Sequence, residues 1–371
     1  MLDEHLGYIA DRVRFEHLKQ AIARTIRPGD LVVDAGCGFG VLGLMCLQAG
    51  ASHVWGIDQT AAVKIARDTL DRAGFGDRYT CIPESTFRAD LLAPVDAIVC
   101  DHVGYFGLDY GIIALLDDAR RRFLKPGGRI LPQRIRLMLA GASSMPAHTE
   151  AIAWSGETVP AAYHWLREHG INTKRKYDFT ASEIATAPQA LGTIDLRQDN
   201  PDHFAFKATL VANHDGVLHG LAGWFECELA DGVWMTNFPL APDKINRPQV
   251  FLAFDQPIPV RAGERIEAAI SFHHKDNLIG WTVRPPNAGR RQKYSNWGDR
   301  IIGLQDLTRQ PQQAPVLTVT GRARRVLYSY LDGERSLAEL ERIMLVQHPE
   351  LFPTPQELSR FIRSECARST R

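Results

Sequence analysis

The chain is short of paired cysteines, of net charge and of long apolar runs, and each shortage removes a class of protein. Its six cysteines (Cys37, Cys46, Cys81, Cys100, Cys227 and Cys366) are scattered over 371 residues and none forms a C-x-x-C pair. No zinc site, disulfide framework or other metal centre is therefore expected. Several of these cysteines lie in apolar runs, where they read as buried free thiols, and a reducing cytoplasm fits them. Formal charge balances at 43 basic and 43 acidic residues. A dedicated nucleic-acid binder would carry a basic excess, so no nucleic-acid partner is expected. No apolar run has transmembrane length and no signal-type stretch opens the chain, so no membrane association is expected. There is no internal repeat and no low-complexity tract. Hydrophobic residues make up 45% of the chain. That supports full cores, and the length predicts two or three domains.

The most informative stretch is Leu31-Val32-Val33-Asp34-Ala35-Gly36-Cys37-Gly38-Phe39-Gly40. An apolar run ends in an acid and three alternating glycines. A helical pattern from Val41 to Ala49 follows, and then a second apolar run, Val54 to Ile57, ends in Asp58. This predicts a strand, a glycine turn, a helix and a second strand with a carboxylate at its tip. Glycines let backbone approach a ligand, and an acid at the second strand tip accepts from a ribose diol. Spacing selects the cofactor. A dinucleotide site reads G-x-G-x-x-G, because pyrophosphate sits on the helix N-terminus. Here the glycines read G-x-G-x-G after Asp34. A carboxylate there repels pyrophosphate but holds the amino group of a methionine moiety, which favours S-adenosylmethionine (SAM) over NAD.

Residues up to about 25 carry Leu6, Ile9, Val13, Leu18 and Ile22 at helical spacing. Strands are predicted near 31–35, 53–58, 79–84, 95–101 and 128–132, with helices near 41–49, 61–73 and 110–123. Pro126-Gly127-Gly128 reads as a turn before the last strand. The alternation predicts a parallel, Rossmann-like α/β sheet over 1–134. Strand-like runs then dominate (137–140, 204–212, 218–229, 249–254 and 265–272), which predicts an antiparallel barrel-like substrate domain over 135–309. A less regular insert lies between about 143 and 198. Gln310 to Pro315 reads as a linker, and 316–371 as a small helical unit. Ser336 with Glu339 and Thr354 with Glu357 predict capping boxes, with Pro355 at a first helical position.

Four segments resemble the protein arginine methyltransferases. They are His5-x5-Asp11-x2-Arg14, then Asp34-x-Gly36-x-Gly38-x-Gly40 with Asp58, then Val95 to Phe106, and then Phe123 to Pro132. A weaker barrel match runs through 218–229, Ala241-Pro242 and 261–264. The resemblance implies a SAM-dependent methyltransferase built as a head-to-tail homodimer, whose barrel arm is replaced here by about 150–190, with Trp154, Tyr163 and Trp165. It implies an N-terminal helix folded over the cofactor, with Arg14 on the methionine carboxylate and His5 near the adenosine. Thr86 and Phe87 follow the third strand, where adenine lies in the family. Phe87 reads equally as a core aromatic.

The departures lie on the acceptor side. The family's two glutamates clamp a guanidinium. Here the first falls on Asp101, one methylene shorter, and the second on Tyr110 with Asp109 adjacent. The family's T-H-W loop falls on Lys244-Ile245-Asn246, without the histidine. Asp101 is expected to face the acceptor, holding a cationic nitrogen or taking its proton; a helix or turn cap is the plain alternative. His102 titrates near neutrality and is a candidate base. Tyr105 is expected to shape the pocket wall. Asp109 either replaces the missing glutamate or caps the helix near Tyr110.

Three readings compete. One is N-methylation of a guanidino or amine group. Another is methyl transfer to a different protein, peptide or small-molecule acceptor in a biosynthetic pathway. The third is an inactive SAM-binding module that recognises peptides through its C-terminal unit. The Leu331 to Leu340 run of that unit resembles the winged-helix domains that grip leader peptides, or else it is a helical add-on.

Overall fold

The computed structural model describes residues 2–286, 290–297, 314 and 316–370. The chain forms two compact units, Met1–Gly303 and Leu304–Arg371. The first opens with helices α1 (Leu2–Ala10) and α2 (Arg12–Thr25). Asp11 separates them. It adopts extended backbone and its carboxylate accepts from Arg14 N–H at 3.1 Å, which caps α2 and starts a new helix direction. Leu18 and Ile22 of the predicted apolar stripe are buried, whereas Leu6 and Ile9 are 63% and 41% exposed. The periodicity marks an amphipathic helix, but its first half does not enter the core.

Strand β1 (Leu31–Ala35), helix α3 (Val41–Gln48), β2 (His53–Ile57), α4 (Ala62–Arg72), β3 (Tyr79–Ile82), β4 (Val95–Val99), α5 (Ile112–Phe123) and β5 (Leu124–Leu131) follow. The strands pair in parallel in the order β3-β2-β1-β4-β5. Val32, Val33, Ala97, Ile98 and Val99 have no exposed surface, which is why these strands read as continuous apolar runs. Strand order reverses between β1 and β4. The carboxyl ends of the strands therefore open onto a crevice there, the place where such sheets bind ligands. The expected turn at Pro126-Gly127-Gly128 instead lies inside β5. The register with β4 shifts between Val95 and Ala97, and Gly127 takes a φ of 75°. An irregular strand thus absorbs the turn residues.

Beyond β5 the pattern is antiparallel. Strands β6 (Arg134–Ala142), β7 (Arg175–Tyr177), β8 (Gln189–Asp195), β10 (Gly216–Ala230), β11 (Val233–Thr236) and β12 (Gln249–Val260) form one sheet; β9 (His203–Val211), β13 (Arg265–His273), β14 (Leu278–Arg284) and β15 (Gln292–Ser295) form the other. Phe225, Phe254 and Trp281 fill their shared core with essentially no exposure. The insert contributes short helices α6 (Met145–Ala151) and α7 (Arg167–Ile171).

The second unit packs α8 (Val319–Tyr330), α9 (Leu337–Gln347) and α10 (Pro355–Ser369) around Leu327, Leu340, Met344, Leu358 and Ile362. The Ser336–Glu339 capping box is complete. At Thr354 the hydroxyl accepts from Glu357 N–H at 3.2 Å, and no return bond from Glu357 occurs among the described residues. This unit is helical, with no strand among its described residues. The expected linker at 310–315 lies outside the described residues apart from Ala314.

Candidate active site

A cavity of about 420 Å³ opens at the carboxyl ends of β1, β2 and β4. Helix α1 supplies His5, Tyr8 and Ile9 to its wall, and α2 supplies Arg14. The glycine loop supplies Gly36 and Gly38, with φ of 71° and 53°. Both glycines are also required by close packing. A Cβ at Gly36 would lie 2.3 Å from the His102 ring, and one at Gly38 would lie 2.7 Å from His5. Gly40 does not line the cavity; a Cβ there would meet Leu70 and Ala66 of α4. It serves helix packing, the usual part of the third glycine in such turns. His5 stacks on Phe39, with ring centroids 3.8 Å apart.

At the cofactor side, Asp58 follows β2. One oxygen accepts Gly38 N–H at 3.0 Å; the other accepts the backbone N–H and hydroxyl of Thr60 at 2.8 and 2.6 Å. Those bonds aim the carboxylate and leave about one of its four lone-pair sites. Asp34 is 1% exposed and accepts Gly43 N–H at 2.9 Å. Burial pushes its carboxyl up to about 7; the Gly43 N–H opposes this and the charge of Asp58 adds to it. Thr86 and Phe87 line the same cavity, and Phe87 is 52% exposed, so it is not a core aromatic.

Asp101 lies two residues past β4, at the expected strand tip. It forms an ion pair with Arg14, whose other terminal nitrogen donates to the Tyr8 carbonyl at 2.8 Å. Asp101 Oδ1 and Arg14 Nε are buried with no hydrogen-bond partner. Burial pulls the Arg14 guanidinium down to about 10, and the nearby charge of Arg247 pulls the same way. It stays charged at neutral pH. Burial also lowers His102, which keeps its imidazole neutral there. His102, Asp101 and Tyr110 all line the cavity.

Tyr105 and Asp109 do not line it. The Asp109 carboxylate accepts the N–H groups of Tyr105 and Phe106, both at 2.6 Å, and pairs with Lys174. Helix α5 begins at Ile112, after Gly111 at φ 71°, with no side-chain cap. Asp109 therefore neither reaches the acceptor space nor caps the helix; it ties its own loop together. The barrel holds that loop from outside. Asn237 donates to the Tyr105 carbonyl at 2.8 Å, and Arg247 donates to the Gly104 carbonyl at 3.0 Å.

Sequence reasoning missed Arg247 and Tyr8. Arg247 adjoins the Lys244-Ile245-Asn246 segment, where Ile245 is fully buried and Asn246 N–H donates to Asp11 at 2.7 Å. Its position beside that loop is the only signal in the sequence. The arginine, not the aligned residues, turns into the cavity.

The residues present fit SAM. Two positive-φ glycines bring backbone to the wall, acids stand at both strand tips, and a buried arginine keeps an unpartnered donor. Residues 18–135 match the family described as ribosomal protein L11 methyltransferase (PrmA). An arginine N(omega)-methyltransferase from Streptomyces achromogenes subsp. streptozoticus is 27% identical over 72% of this chain and 75% of its own length. Protein arginine N-methyltransferase 1 of Dictyostelium discoideum is 26% identical over 71% of this chain and 79% of its own. The probable protein arginine N-methyltransferase 6 of Arabidopsis thaliana is 26% identical, and the match spans 54% of that protein's length. The fold matches the Trypanosoma brucei PRMT1 enzyme-prozyme heterotetrameric complex with AdoHcy at a TM-score of 0.72 and 21% identity, covering 80% of this chain and 98% of that one. The class is thus a SAM-dependent methyltransferase with a Rossmann-like cofactor domain and an antiparallel barrel. Within that class the chain is similar to the protein arginine methyltransferases.

Proposed function

We propose that the chain methylates a guanidino or amine nitrogen, with Asp101 facing the acceptor. The observation that carries this reading is one cavity holding both Asp101 and the cofactor-side pair Arg14 and Asp58. When bound, SAM supplies a methyl group already activated by its sulfonium. Arg14 holds the methionine carboxylate through charge-assisted hydrogen bonds. Asp34 holds the amino group and Asp58 the ribose. Helix α1, through His5 and Tyr8, covers the cavity and excludes water. Asp101 orients the acceptor nitrogen and accepts its proton; His102, kept neutral by burial, is the second candidate base. In this reading 1–134 binds cofactor, 135–309 shapes the acceptor site and 316–371 is separate from the chemistry.

A small-molecule acceptor is favoured over an arginine-rich tail. Tyr110 stands where a second carboxylate would balance a guanidinium, and Asp109 is committed to its own loop. One relative is named for arginine itself rather than for protein arginine. We further propose a homodimer. Trp154, Tyr163 and Trp165 of the arm segment are 43–61% exposed, and Leu2 and Leu6 of α1 are 64% and 63% exposed. Incubation with methyl-labelled SAM and identification of the methylated product by mass spectrometry tests the reading. Label on a nitrogen supports it, and label on oxygen or no transfer to any acceptor contradicts it.

A further inference from the structure

Arg247 is 5% exposed, and the only hydrogen bond of its side chain among the described residues is the one it donates to the Gly104 carbonyl. No carboxylate among the described residues lies within ion-pair distance of it. Its guanidinium sits 5.1 Å from the Tyr8 ring centroid, and Arg14 sits 5.4 Å from the same centroid. A guanidinium carries five N–H donors. Those that Arg247 has left over are not sealed in the protein interior, and the side chain forms part of the cavity wall. A buried, unneutralised cation of this kind costs free energy unless an anion meets it.

Two anions could do so: the cofactor carboxylate and an acceptor carboxylate. Arg14 already stands on the cofactor side with a free Nε donor. Arg247 comes from the barrel, and its bond to Gly104 fixes it on the acceptor loop three residues past Asp101. Positive charge continues there, since Lys176 lies 4.1 Å from the Tyr105 ring centroid. We infer that Arg247 binds a carboxylate on the acceptor, so that the substrate is a free amino acid carrying both the nitrogen to be methylated and an α-carboxylate. Asp101 takes the cationic end and Arg247 the anionic end. A residue inside a polypeptide lacks that second charge. This inference rests on the methyl-transfer reading above and names its substrate class.

The test titrates the protein, saturated with S-adenosylhomocysteine, with L-arginine, L-argininamide and agmatine by calorimetry. L-arginine should bind at least about tenfold more tightly than the other two, which lack the carboxylate. Arg247→Gln should abolish that difference while S-adenosylhomocysteine affinity stays within about twofold of wild type. Arg247→Lys should restore part of it, because the charge returns without the bidentate fork. Equal affinity for the three probes, no binding of L-arginine, or a loss of S-adenosylhomocysteine affinity in Arg247→Gln would overturn the inference. Of these, equal affinity with label transfer intact removes the carboxylate contact alone. A wild type that binds no S-adenosylhomocysteine takes down both this inference and the reading beneath it.

Discussion

Asp34 holds its proton far more tightly than an exposed carboxyl does, and the cause is burial at the end of β1. The sign of its pH effect follows. The folded protein binds this proton up to about pH 7, whereas the unfolded chain releases it near 3.8. The contribution of Asp34 to stability is therefore full below 3.8 and is lost as pH rises through about 7, by at most about 1.4 kcal/mol per pH unit. Asp34→Asn should flatten that segment of the stability curve in urea titrations at pH 5 to 8 (an order-of-magnitude window around the shifted value). In the proposed reading an ionised Asp34 also holds the cofactor's amino group. Affinity for S-adenosylhomocysteine should accordingly rise between about pH 5.5 and 7 in the wild type and stay level in Asp34→Asn. An affinity that falls with pH over that range would remove Asp34 from the site. Asp58→Ala should weaken cofactor binding by about 1–3 kcal/mol, since hydrogen bonds to a charged group are lost. Calorimetry reads this directly.

The elements that build the site differ in how plainly their sequences announce them. The parallel strands were legible because burial on both faces leaves nothing but apolar residues, and a glycine turn with an acid punctuates β1. Helix α1 was legible as a helix, but not as an exposed one: the spacing of Leu6 and Ile9 says that one face is apolar and not what covers it. The acceptor loop, 101–111, was legible in part. Asp101 at the strand tip follows from topology. The destination of Asp109 does not, because it depends on Lys174 from the insert and on a loop that folds its own N–H groups inward. Arg247 escaped for the same reason, since its cavity face is decided by a turn that local pattern does not encode. Asp109 gives the loop a testable energetic role. Asp109→Ala removes two hydrogen bonds to a carboxylate and strands Lys174, at a cost of about 2–4 kcal/mol. The urea midpoint should fall, while cofactor affinity is retained. An unchanged midpoint would mean that Asn237 and Arg247 hold the loop without it.

At the scale of the molecule, charge and assembly decide what reaches the cavity. A polypeptide rich in arginine would bring many cations to a cavity whose wall already carries Arg14 and Arg247. It would find Asp101 as the sole acid on the acceptor side among the lining residues. A partly unpaired guanidinium in a desolvated pocket costs several kcal/mol, roughly a hundredfold or more in transfer rate. Arginine-rich peptides should therefore be methylated far more slowly than free amino acids in a labelled-methyl assay, and robust methylation of such peptides would show that Tyr110 does not exclude them. Assembly has its own readout. The exposed arm aromatics and the exposed face of α1 predict a dimeric mass by light scattering, and Trp165→Glu should shift it toward the monomer by placing a charge in the interface core. A wild type that is only monomeric at micromolar concentration contradicts the homodimer.

Central to all three scales is the proposal that one cavity serves both cofactor and acceptor, with Asp101 as the acceptor-facing acid. The most direct measurement pairs transfer of labelled methyl from SAM with calorimetry of S-adenosylhomocysteine, in the wild type and in Asp101→Asn. The conservative amide keeps the side chain's size and removes its charge. The expected result is cofactor affinity within about twofold of wild type, a negligible free-energy change, with methyl transfer reduced at least about a hundredfold. Transfer at the wild-type rate in Asp101→Asn would place the acceptor elsewhere and contradict the account.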